Sequence, residues 1–511
     1  TRGPDPTNVT FKMKKFVYAS SVLALGLFAS CSNDAPEVNN TPIDEEGNIG
    51  YICFNLTNSD TRAGEEEVGT TDENAIKHVD FLFTDVNNRA FKLHVDAKDI
   101  QDNKALVKLP KMPKYVAVIV NGQSDQYDNL LDITTQDVGQ YCHGTDVNKN
   151  FYMSSTRYWD ASHNKVYRTN ISTDQVYKDE ASAKAGKPVE VTVERYVGKV
   201  NVSVADVALE AGQLDPLTGE HEGHVKDALS GAAIVKFEPK YVFLTGVNSR
   251  GRRVKDLPEW SAMPEDLKAN DWCNDLGGKR SFWVGDRAGQ VQFATLNELE
   301  NNKAKWAKAY GSNDVFYPFE NKESNDAKKT SVVVAGQYTV TNAAGQSLAD
   351  ADGSFYLVAF EDNFTVCKTE ADAIKAMGGK EGDKLVAEGA DGNGIYAGYD
   401  DDAWTGWTGW MKIQNSSNVI RCIKYNGGWG YYSKEIVRRS VNDTDYCAIV
   451  RNHVYRINIT GISGMGVGIP DPDQPIINIP NPNPLDQNYL LNMSVKVAAW
   501  KVVPAQDVAW Q

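Results

Sequence analysis

The sequence lacks the short motifs that most often mark catalytic and metal sites. It contains no Cys-x-x-Cys pair, no His-Glu-x-x-His motif and no Gly-x-Ser-x-Gly turn. His221 and His224 stand three residues apart in a polar stretch that is typical of a solvated turn. We therefore assign no catalytic, cofactor-binding or metal-ligating residue, and we expect a protein that is not an enzyme and needs no cofactor.

Positive charge and helix-forming stretches are also scarce. The chain has 53 Lys and Arg against 68 Asp and Glu, a balance that argues against nucleic acid as a partner. Leu296 to Tyr310 is the best helical candidate. Aromatic residues at 10% and 41 glycines favour strands and turns over helical bundles.

The N-terminal stretch has the features of a lipoprotein signal peptide. A basic start from Lys12 to Lys15 precedes an apolar run from Phe16 to Ala29 that is too short for a stable membrane anchor. Cys31 follows small residues, which resembles the bacterial lipobox whose cysteine becomes the lipidated first residue. A plain signal peptide with an incidental Cys31 is the alternative. Thr1 to Lys12 precede Met13 and read as an upstream extension.

The other six cysteines are widely spaced and show no pattern. Export permits disulfides, but the spacing does not define a pairing. We expect most of these cysteines to be small buried hydrophobes. They are Cys53, Cys142, Cys273, Cys367, Cys422 and Cys447.

Short strand patterns separated by turns dominate the rest of the chain. Tyr51 to Thr57 alternates apolar and polar residues, Tyr115 to Gly122 is a continuous apolar run, and Val189 to Val207 is a long strand candidate. Helical patterns do not alternate with them, which favours an all-β chain of β-sandwich domains over βαβ units. We place a domain boundary near residue 208.

The two ends of the folded part carry strands of matching pattern. In the first strand, Ile52, Phe54 and Leu56 share one face, and an acidic loop with Arg62 follows. In the last strand the parity of the apolar residues changes at Ala498–Ala499, which predicts two sub-strands meeting there. Its inward residues are Leu491, Met493, Val495, Val497, Trp500 and Val502.

A proline-spaced tether precedes the last strand. Pro470 to Gln487 is about 18 residues long and would reach roughly 55 Å in polyproline-like form at about 3.1 Å per residue. Cutting after Arg62 would detach the first strand and leave an open groove with an unpaired edge. The last strand of a neighbouring copy would fill this groove and give a head-to-tail filament.

Together these features resemble the fimbrillins of Bacteroidales, the shaft subunits of type V pili, and most closely the minor (short) fimbrium shaft subunit. The resemblance rests on several segments in a fixed order. They are the lipobox at Cys31, a strand followed by TRAGE, VTVERYVGKV, VRNHVYRINITGI, the linker PDPDQP to PNPNP, and the terminus MSVKVAAWKVV.

The resemblance implies two transthyretin-like, Greek-key β-sandwich domains with a C-terminal donor strand on a Pro-rich tether. It implies cleavage between Arg62 and Ala63 by an Arg-specific protease. The implied limits are 13–31 for the signal peptide, 32–62 for the propeptide with its removable strand, 63–208 and 209–469 for the two domains, 470–487 for the linker and 488–511 for the donor strand.

The resemblance also implies partners and a location. The partners are copies of the chain itself, anchor and tip pilins, the protease, and the outer membrane through the lipid before cleavage. Host or bacterial surface ligands are further partners. The precursor is expected at the cell outer membrane, and the mature form in an adhesive surface fimbrium.

Two arginines and one cysteine leave questions open. Arg89 lies in a second turn-like stretch, so Arg62 is not the unique cleavage candidate. Cys53 lies on the strand to be removed, where a disulfide would retain that strand. We therefore predict that Cys53 is a free, buried thiol.

The alternative function is a surface lipoprotein that does not polymerise and binds glycans through Trp404, Trp407 and Trp410, although burial of these rings is favoured.

Two acidic stretches, Asp350 to Ser354 and Asp391 to Asp402, offer oxygen ligands but lack the glutamate of an EF-hand loop. They are therefore expected to be acidic turns.

Overall fold

The structure of the chain is a computed structural model, and its described residues all lie within 41–511. The described residues are 49–58, 66–85, 87, 89–121, 151, 153–155, 169–195, 197–204, 213–214, 225–227, 233–248, 272–273, 280–281, 291–301, 307–309, 314–321, 329–360, 363–387, 410–439, 445–447, 449–462, 465–477 and 491–501.

Strands dominate the described residues. Those of the first half are β1 Gly50–Asn58, β2 Glu66–Val68, β3 His78–Asp85, β4 Ala90–Asp96, β5 Ile100–Gln101, β6 Lys104–Leu109, β7 Pro113–Val120, β8 Met153–Ser155, β9 Thr169–Asn170, β10 Val189–Arg195, β11 Lys199–Val204, β12 Gln213–Leu214, β13 Val225–Asp227, β14 Ala233–Thr245 and β15 Val247–Asn248. Those of the second half are β16 Trp272–Cys273, β17 Arg280–Ser281, β18 Val291–Gln292, β19 Ala307–Ala309, β20 Asp314–Phe316, β21 Ser331–Asn342, β22 Phe355–Phe360, β23 Asn363–Cys367, β24 Leu385–Ala387, β25 Met411–Ile413, β26 Arg421–Tyr425, β27 Trp429–Glu435, β28 Val437–Arg439, β29 Asp445–Cys447, β30 His453–Ile462, β31 Val467–Gly468 and β32 Leu491–Lys501.

Helices in the described part of the chain are short. The α-helices are α1 Thr71–Asn74, α2 Glu180–Ala185, α3 Leu296–Asn301 and α4 Glu370–Ala376, and 3-10 turns cover Ala97–Asp99, Thr173–Gln175 and Asn426–Gly428. None of these helices is long and apolar enough to span a membrane. The all-β fold expected from the sequence is confirmed.

The first sheet contains β1 and has nine strands. Its order is β4-β3-β7-β8-β10-β1-β6-β5, with β9 paired to β7. The hairpin between β5 and β6 has Asp102 and Asn103 at positive φ, 49° and 61°. Two successive left-handed residues are what a two-residue type I′ turn requires, and Asp and Asn tolerate that conformation.

The first sheet folds over on itself. β10, β8 and β7 separate β1 from β3 in the strand order, so a flat sheet would hold β1 and β3 roughly 19 Å apart at about 4.8 Å per strand. Yet the ring centroids of Phe54 on β1 and Phe81 on β3 are only 4.4 Å apart. The two halves of the sheet therefore face each other across a core, as the layers of a sandwich do.

The second sheet has five strands in the order β2-β32-β30-β11-β20. β30 runs parallel to β11 and antiparallel to β32. This sheet joins β11, from the first of the two predicted domains, to strands of the second. The domain limits themselves stay predictions.

The third and fourth sheets pack on each other through aromatic side chains. The third has the order β12-β14-β21-β27-β31 with β19 on β14, and the fourth has the order β13-β23-β22-β26-β25-β24. Tyr338 of the third sheet lies 5.2 Å, between ring centroids, from Tyr425 of the fourth. Short ladders pair β15 with β18, β16 with β17 and β28 with β29.

The long strand expected over Val189 to Val207 is two strands in different sheets. β10 ends at Arg195 in the first sheet, and β11 begins at Lys199 in the second. Gly198 lies in the crossing, where an added Cβ would come within 3.0 Å of the Ile449 side chain. The periodicity continues across the crossing because both strands have apolar core faces, so pattern alone did not reveal the break.

Candidate functional site

β1 occupies a central position in the first sheet. Five of its residues, Phe54 to Asn58, pair in parallel with β10, and six, Gly50 to Asn55, pair antiparallel with β6. β1 precedes all the other described strands in the chain, yet it is bounded by neighbours on both sides. Its loss would separate β10 from β6 along most of their length.

The apolar face of β1 lies in the core. Ile52, Phe54 and Leu56 are 0%, 0% and 3% exposed, so the burial expected from their alternation is confirmed. Besides Phe81, the Phe54 ring contacts Phe83, with 5.9 Å between centroids. A groove left by β1 would therefore be lined by aromatic side chains.

Cys53 is a free, buried thiol, as predicted. Burial raises its pKa above the ordinary thiol value, an effect that nearby Lys104 partly opposes. A protonated, shielded thiol is a poor nucleophile for disulfide exchange. No covalent bond from Cys53 therefore ties β1 to the rest of the described chain.

The predicted cleavage residues Arg62 and Ala63 lie between β1 and β2 in the sequence, outside the described residues. The lipidation candidate Cys31, which precedes β1, also lies outside them. The competing arginine, Arg89, lies in the turn between β3 and β4. Its backbone N–H donates to Asp85 Oδ1 at 2.7 Å, and Asn87 N–H donates to the same oxygen at 2.8 Å. Arg89 is therefore part of a hydrogen-bonded hairpin between two paired strands.

The C-terminal strand β32 is docked on its own chain. It pairs antiparallel with β30 from Leu491 to Ala499, and its last three residues, Ala499 to Lys501, pair in parallel with β2. The other edge of β32 has no strand partner along Leu491–Ala498 among the described residues. β32 is therefore nearly an edge strand, whereas β1 is central.

The pairing of β32 runs without interruption through Ala498 and Ala499, opposite Val454 and His453. The division into two sub-strands predicted there is absent from this docked strand. The irregularity lies instead on the partner, between Ile459 and Gly461. The six predicted donor residues thus fall on β32, except Val502, which lies outside the described residues, and their inward-facing role stays a prediction.

The first part of the predicted linker packs against the body of the protein. Ile476 and Ile477 are 1% exposed, Pro475 forms a bridge with Thr295, and the Ile476 N–H donates to the Ala294 carbonyl at 2.8 Å. Pro475 to Ile477 of the predicted linker therefore contact the folded part of the chain, and 478–487 lie outside the described residues.

Buried charges connect the first sheet to the second. Arg451 donates through Nε to Glu194 of β10 and through Nη1 to Glu320, each at 2.9 Å, and all three side chains are at most 2% exposed. Arg195 beside Glu194 is fully buried, and burial lowers its pKa to about 9, an effect that nearby Glu73 opposes. The end of β10 is therefore fixed to elements outside its own sheet.

A second charge cluster surrounds Lys199 at the start of β11. Lys199 Nζ lies 2.9 Å from Glu67 Oε1 of β2 and 3.0 Å from Glu73 Oε1 of α1. Glu73 also accepts from Tyr317 Oη at 2.7 Å and caps its own helix by accepting from Thr70 N–H. Sequence reasoning missed this cluster, although Thr70 and Glu73 have the spacing of a capping box.

Of the three tryptophans behind the alternative glycan-binding function, only Trp410 lies within the described residues. Trp410 is 2% exposed and belongs to the core, while Trp404, Trp407 and His221 to His224 lie outside the described residues. Asp352 accepts from the backbone N–H and hydroxyl of Ser354, as an acidic turn does. Within the described ranges, three metal-ligating side chains do not come together.

Residues 424–505 match the protein-family model "Major fimbrial subunit protein type IV, Fimbrillin, C-terminal". The matched region includes the β30–β32 pair described above. The match agrees with the family resemblance found in the sequence and does not distinguish a minor from a major subunit. A comparison with curated protein sequences gives no significant match.

Solved structures similar to the chain include two fimbrial proteins of Porphyromonas gingivalis. One is a fimbrillin (FimA) of strain W83, 14% identical, covering 89% of this chain and 98% of its own, with a TM-score of 0.42. The other is the tip fimbrial protein Mfa3 with a C-terminal truncation, 10% identical, covering 88% and 99%, with a TM-score of 0.30.

Proposed function

From the premise that the chain fits the fimbrillin family, we propose that it is a shaft subunit of an adhesive bacterial surface fimbrium. It is exported as an outer-membrane lipoprotein through Cys31, cut after Arg62 by an Arg-specific protease, and polymerised by exchange of its C-terminal strand. The observation that carries the proposal is the position of β1, a central strand with a buried apolar face, located before all the other described strands.

The backbone pairing favours exchange once β1 is gone. In its own sheet β32 has one long ladder, with β30, and a three-residue ladder with β2. In the groove of a neighbouring copy a strand would lie between β10 and β6 and pair on both edges, as β1 does. Unpaired backbone groups at a sheet edge attract an incoming strand, so the doubly bounded site is the stronger acceptor.

The apolar side chains of the groove also require replacement. Removing Ile52, Phe54 and Leu56 would uncover the rings of Phe81 and Phe83, which is unfavourable by about 25 cal/mol per Å² of apolar surface. The proposed donor residues of β32 and the residue after it would supply this surface. They are Leu491, Met493, Val495, Val497, Trp500 and Val502.

The chain has enough length to make the exchange. Between Ile477 and Leu491 lie residues 478–490, which include three prolines. In extended polyproline-like form this segment would span roughly 40 Å at about 3.1 Å per residue, more than the diameter of a small domain, about 30 Å. β32 can therefore leave β30 and reach another copy while its own domain stays folded.

Arg-specific proteolysis tests the proposal. The precursor should yield a product whose first residue is Ala63, and this product should form ladders in denaturing gels run without boiling. Arg62→Lys should block the cut and the ladder, whereas the matched Arg89→Lys change should leave both intact. Deleting residues 491–503 should abolish ladders but leave a folded monomer. A processed chain that stays monomeric with its tail intact would refute the proposal.

A further inference from the structure

We propose that Glu67 is a clasp that holds the C-terminal strand β32 on its own sheet and slows its donation to another copy. The inference rests on the proposed function, because it concerns the same strand. It goes further by assigning a regulatory role to a residue just after the predicted cleavage site.

The side chain of Glu67 reaches across β32. In the second sheet β32 lies between β2, which carries Glu67, and β30. Glu67 Oε2 accepts from Arg456 Nε of β30 at 2.9 Å, and Oε1 lies 2.9 Å from Lys199 Nζ of β11. The carboxylate on one side of β32 is thus bonded to cations on the other side.

Glu67 acts at the C-terminal end of β32, where backbone pairing is shortest. β2 has three residues and pairs with Ala499 to Lys501, and the β30 ladder ends at Ala499. A three-residue parallel ladder at the edge of a sheet frays readily. The ion pairs of Glu67 keep β2 in place, and β2 in turn keeps the end of β32 paired on its second edge.

The ion pairs of Glu67 are partly shielded from water, so they contribute to the stability of the docked strand. Side-chain exposure is 19% for Glu67 and 7% for Lys199, so water screens this pair less than it screens a surface pair. Lys199 also contacts Glu73 at 3.0 Å. Arg456 is 39% exposed and keeps access to water. Neutralising Glu67 therefore leaves no buried cation without a counter-charge, and the variant is expected to fold.

The clasp remains on the mature chain. Glu67 follows Arg62 by five residues, so cleavage there removes β1 and leaves β2 with a nearby free N-terminus. Release of β32 then requires both the β30 ladder and the Glu67 contacts to open. The clasp therefore limits how fast a cut subunit donates its strand.

Hydrogen exchange on the uncleaved monomer tests the clasp without any polymer. Glu67→Gln should speed amide exchange in residues 491–501 by about tenfold, the effect of losing a partly exposed charge-assisted pair. Arg456→Gln should act in the same direction. The matched control is Glu238→Gln, which loses an ion pair with Lys240 in the third sheet and should leave exchange in 491–501 unchanged. Unchanged exchange in Glu67→Gln would overturn the inference.

The rate of polymerisation after cleavage distinguishes a failure of the clasp from a failure of the proposed function. After proteolysis, Glu67→Gln should form ladders faster than the wild type, and Glu238→Gln at the wild-type rate. If Glu67→Gln loosens β32 in the monomer but none of the three proteins forms ladders, the clasp stands and the fimbrial function fails. If ladders form at equal rates in all three proteins, the function stands and the clasp fails.

Discussion

Replacing Phe54 by alanine should destabilise the precursor and leave the mature protein untouched. Phe54 is completely buried on β1, with its ring 4.4 Å from Phe81 and 5.9 Å from Phe83. Truncating a buried Phe to Ala costs about 3–5 kcal/mol, because the transfer term and the cavity add. Because β1 has strands on both sides, its neighbours can relax little into the cavity left by Phe54→Ala. We therefore expect a loss of stability within that range.

The measurement is the free energy of local opening from native-state hydrogen exchange in β1, β6 and β10, which is preferable to a global transition in a chain of several sheets. The matched control is Asn55→Ala on the same strand. Asn55 is half-buried and donates to Glu190 Oε2 at 2.8 Å in a solvent-exposed hydrogen bond, so its loss should cost less than about 1 kcal/mol.

Cleavage supplies the decisive comparison. Once residues up to Arg62 are removed, the Phe54→Ala and wild-type products have identical sequences, so their exchange profiles and ladder rates must coincide. A loss below about 1 kcal/mol in the precursor would refute the view that β1 is a core strand. A difference that persists after the cut would show that the cleaved segment carrying β1 stays bound in the groove.

Two further predictions concern the charged groups. Arg451→Met leaves Glu194 and Glu320 buried without their shared cation, so the opening free energy of β10 should fall by about 3–5 kcal/mol, and an unchanged value would contradict the role given to this triad. Burial acts to raise the Glu67 pKa, but hydrogen bonds and charges from Lys199 and Arg456 prevail and lower it; Glu73 also faces Lys199. Because the folded-state pKa is the lower one, Glu67 stabilises the docked strand above its unfolded-state pKa of 4.5. This stabilisation is lost as the pH falls through the folded-state pKa. The difference in exchange of 491–501 between wild type and Glu67→Gln should therefore be largest at pH 7 and shrink below pH 4.5, and a difference that does not change with pH would exclude the carboxylate as its source.

The sequence predicted the features that depend on periodicity. Ile52, Phe54 and Leu56 alternate over a short strand, and alternation of this kind fixes which face is buried. Cys53 was predicted as a free thiol by its place on that strand, and the structure agrees. The family resemblance came from the order of several weak segments, of which the C-terminal ones fall in the matched region 424–505.

Features that depend on which strands meet could not be predicted. The sequence shows that β32 is a strand, but not that it pairs with β30 and β2 in its own chain, because pairing partners far apart in sequence leave no local pattern. The same holds for Glu67, whose partners Lys199 and Arg456 lie 132 and 389 residues away. From sequence alone, an acidic residue in an acidic stretch is predicted to be a solvent-exposed charge. Only the fold shows that cations lie next to it.

If the proposed cleavage and strand exchange take place, the buried charges explain how the acceptor groove survives the loss of β1. β10 forms one wall of the groove, and with β1 gone it would lose its parallel partner along Val189 to Val193. Its other end is held by Arg451, which bonds Glu194, while Arg195 donates to the Glu73 carbonyl at 3.1 Å. These contacts link β10 to segments that stay in the mature chain. A wall fixed in this way keeps the groove open for a donor strand, whereas a wall held only by β1 would collapse onto β6 and close it.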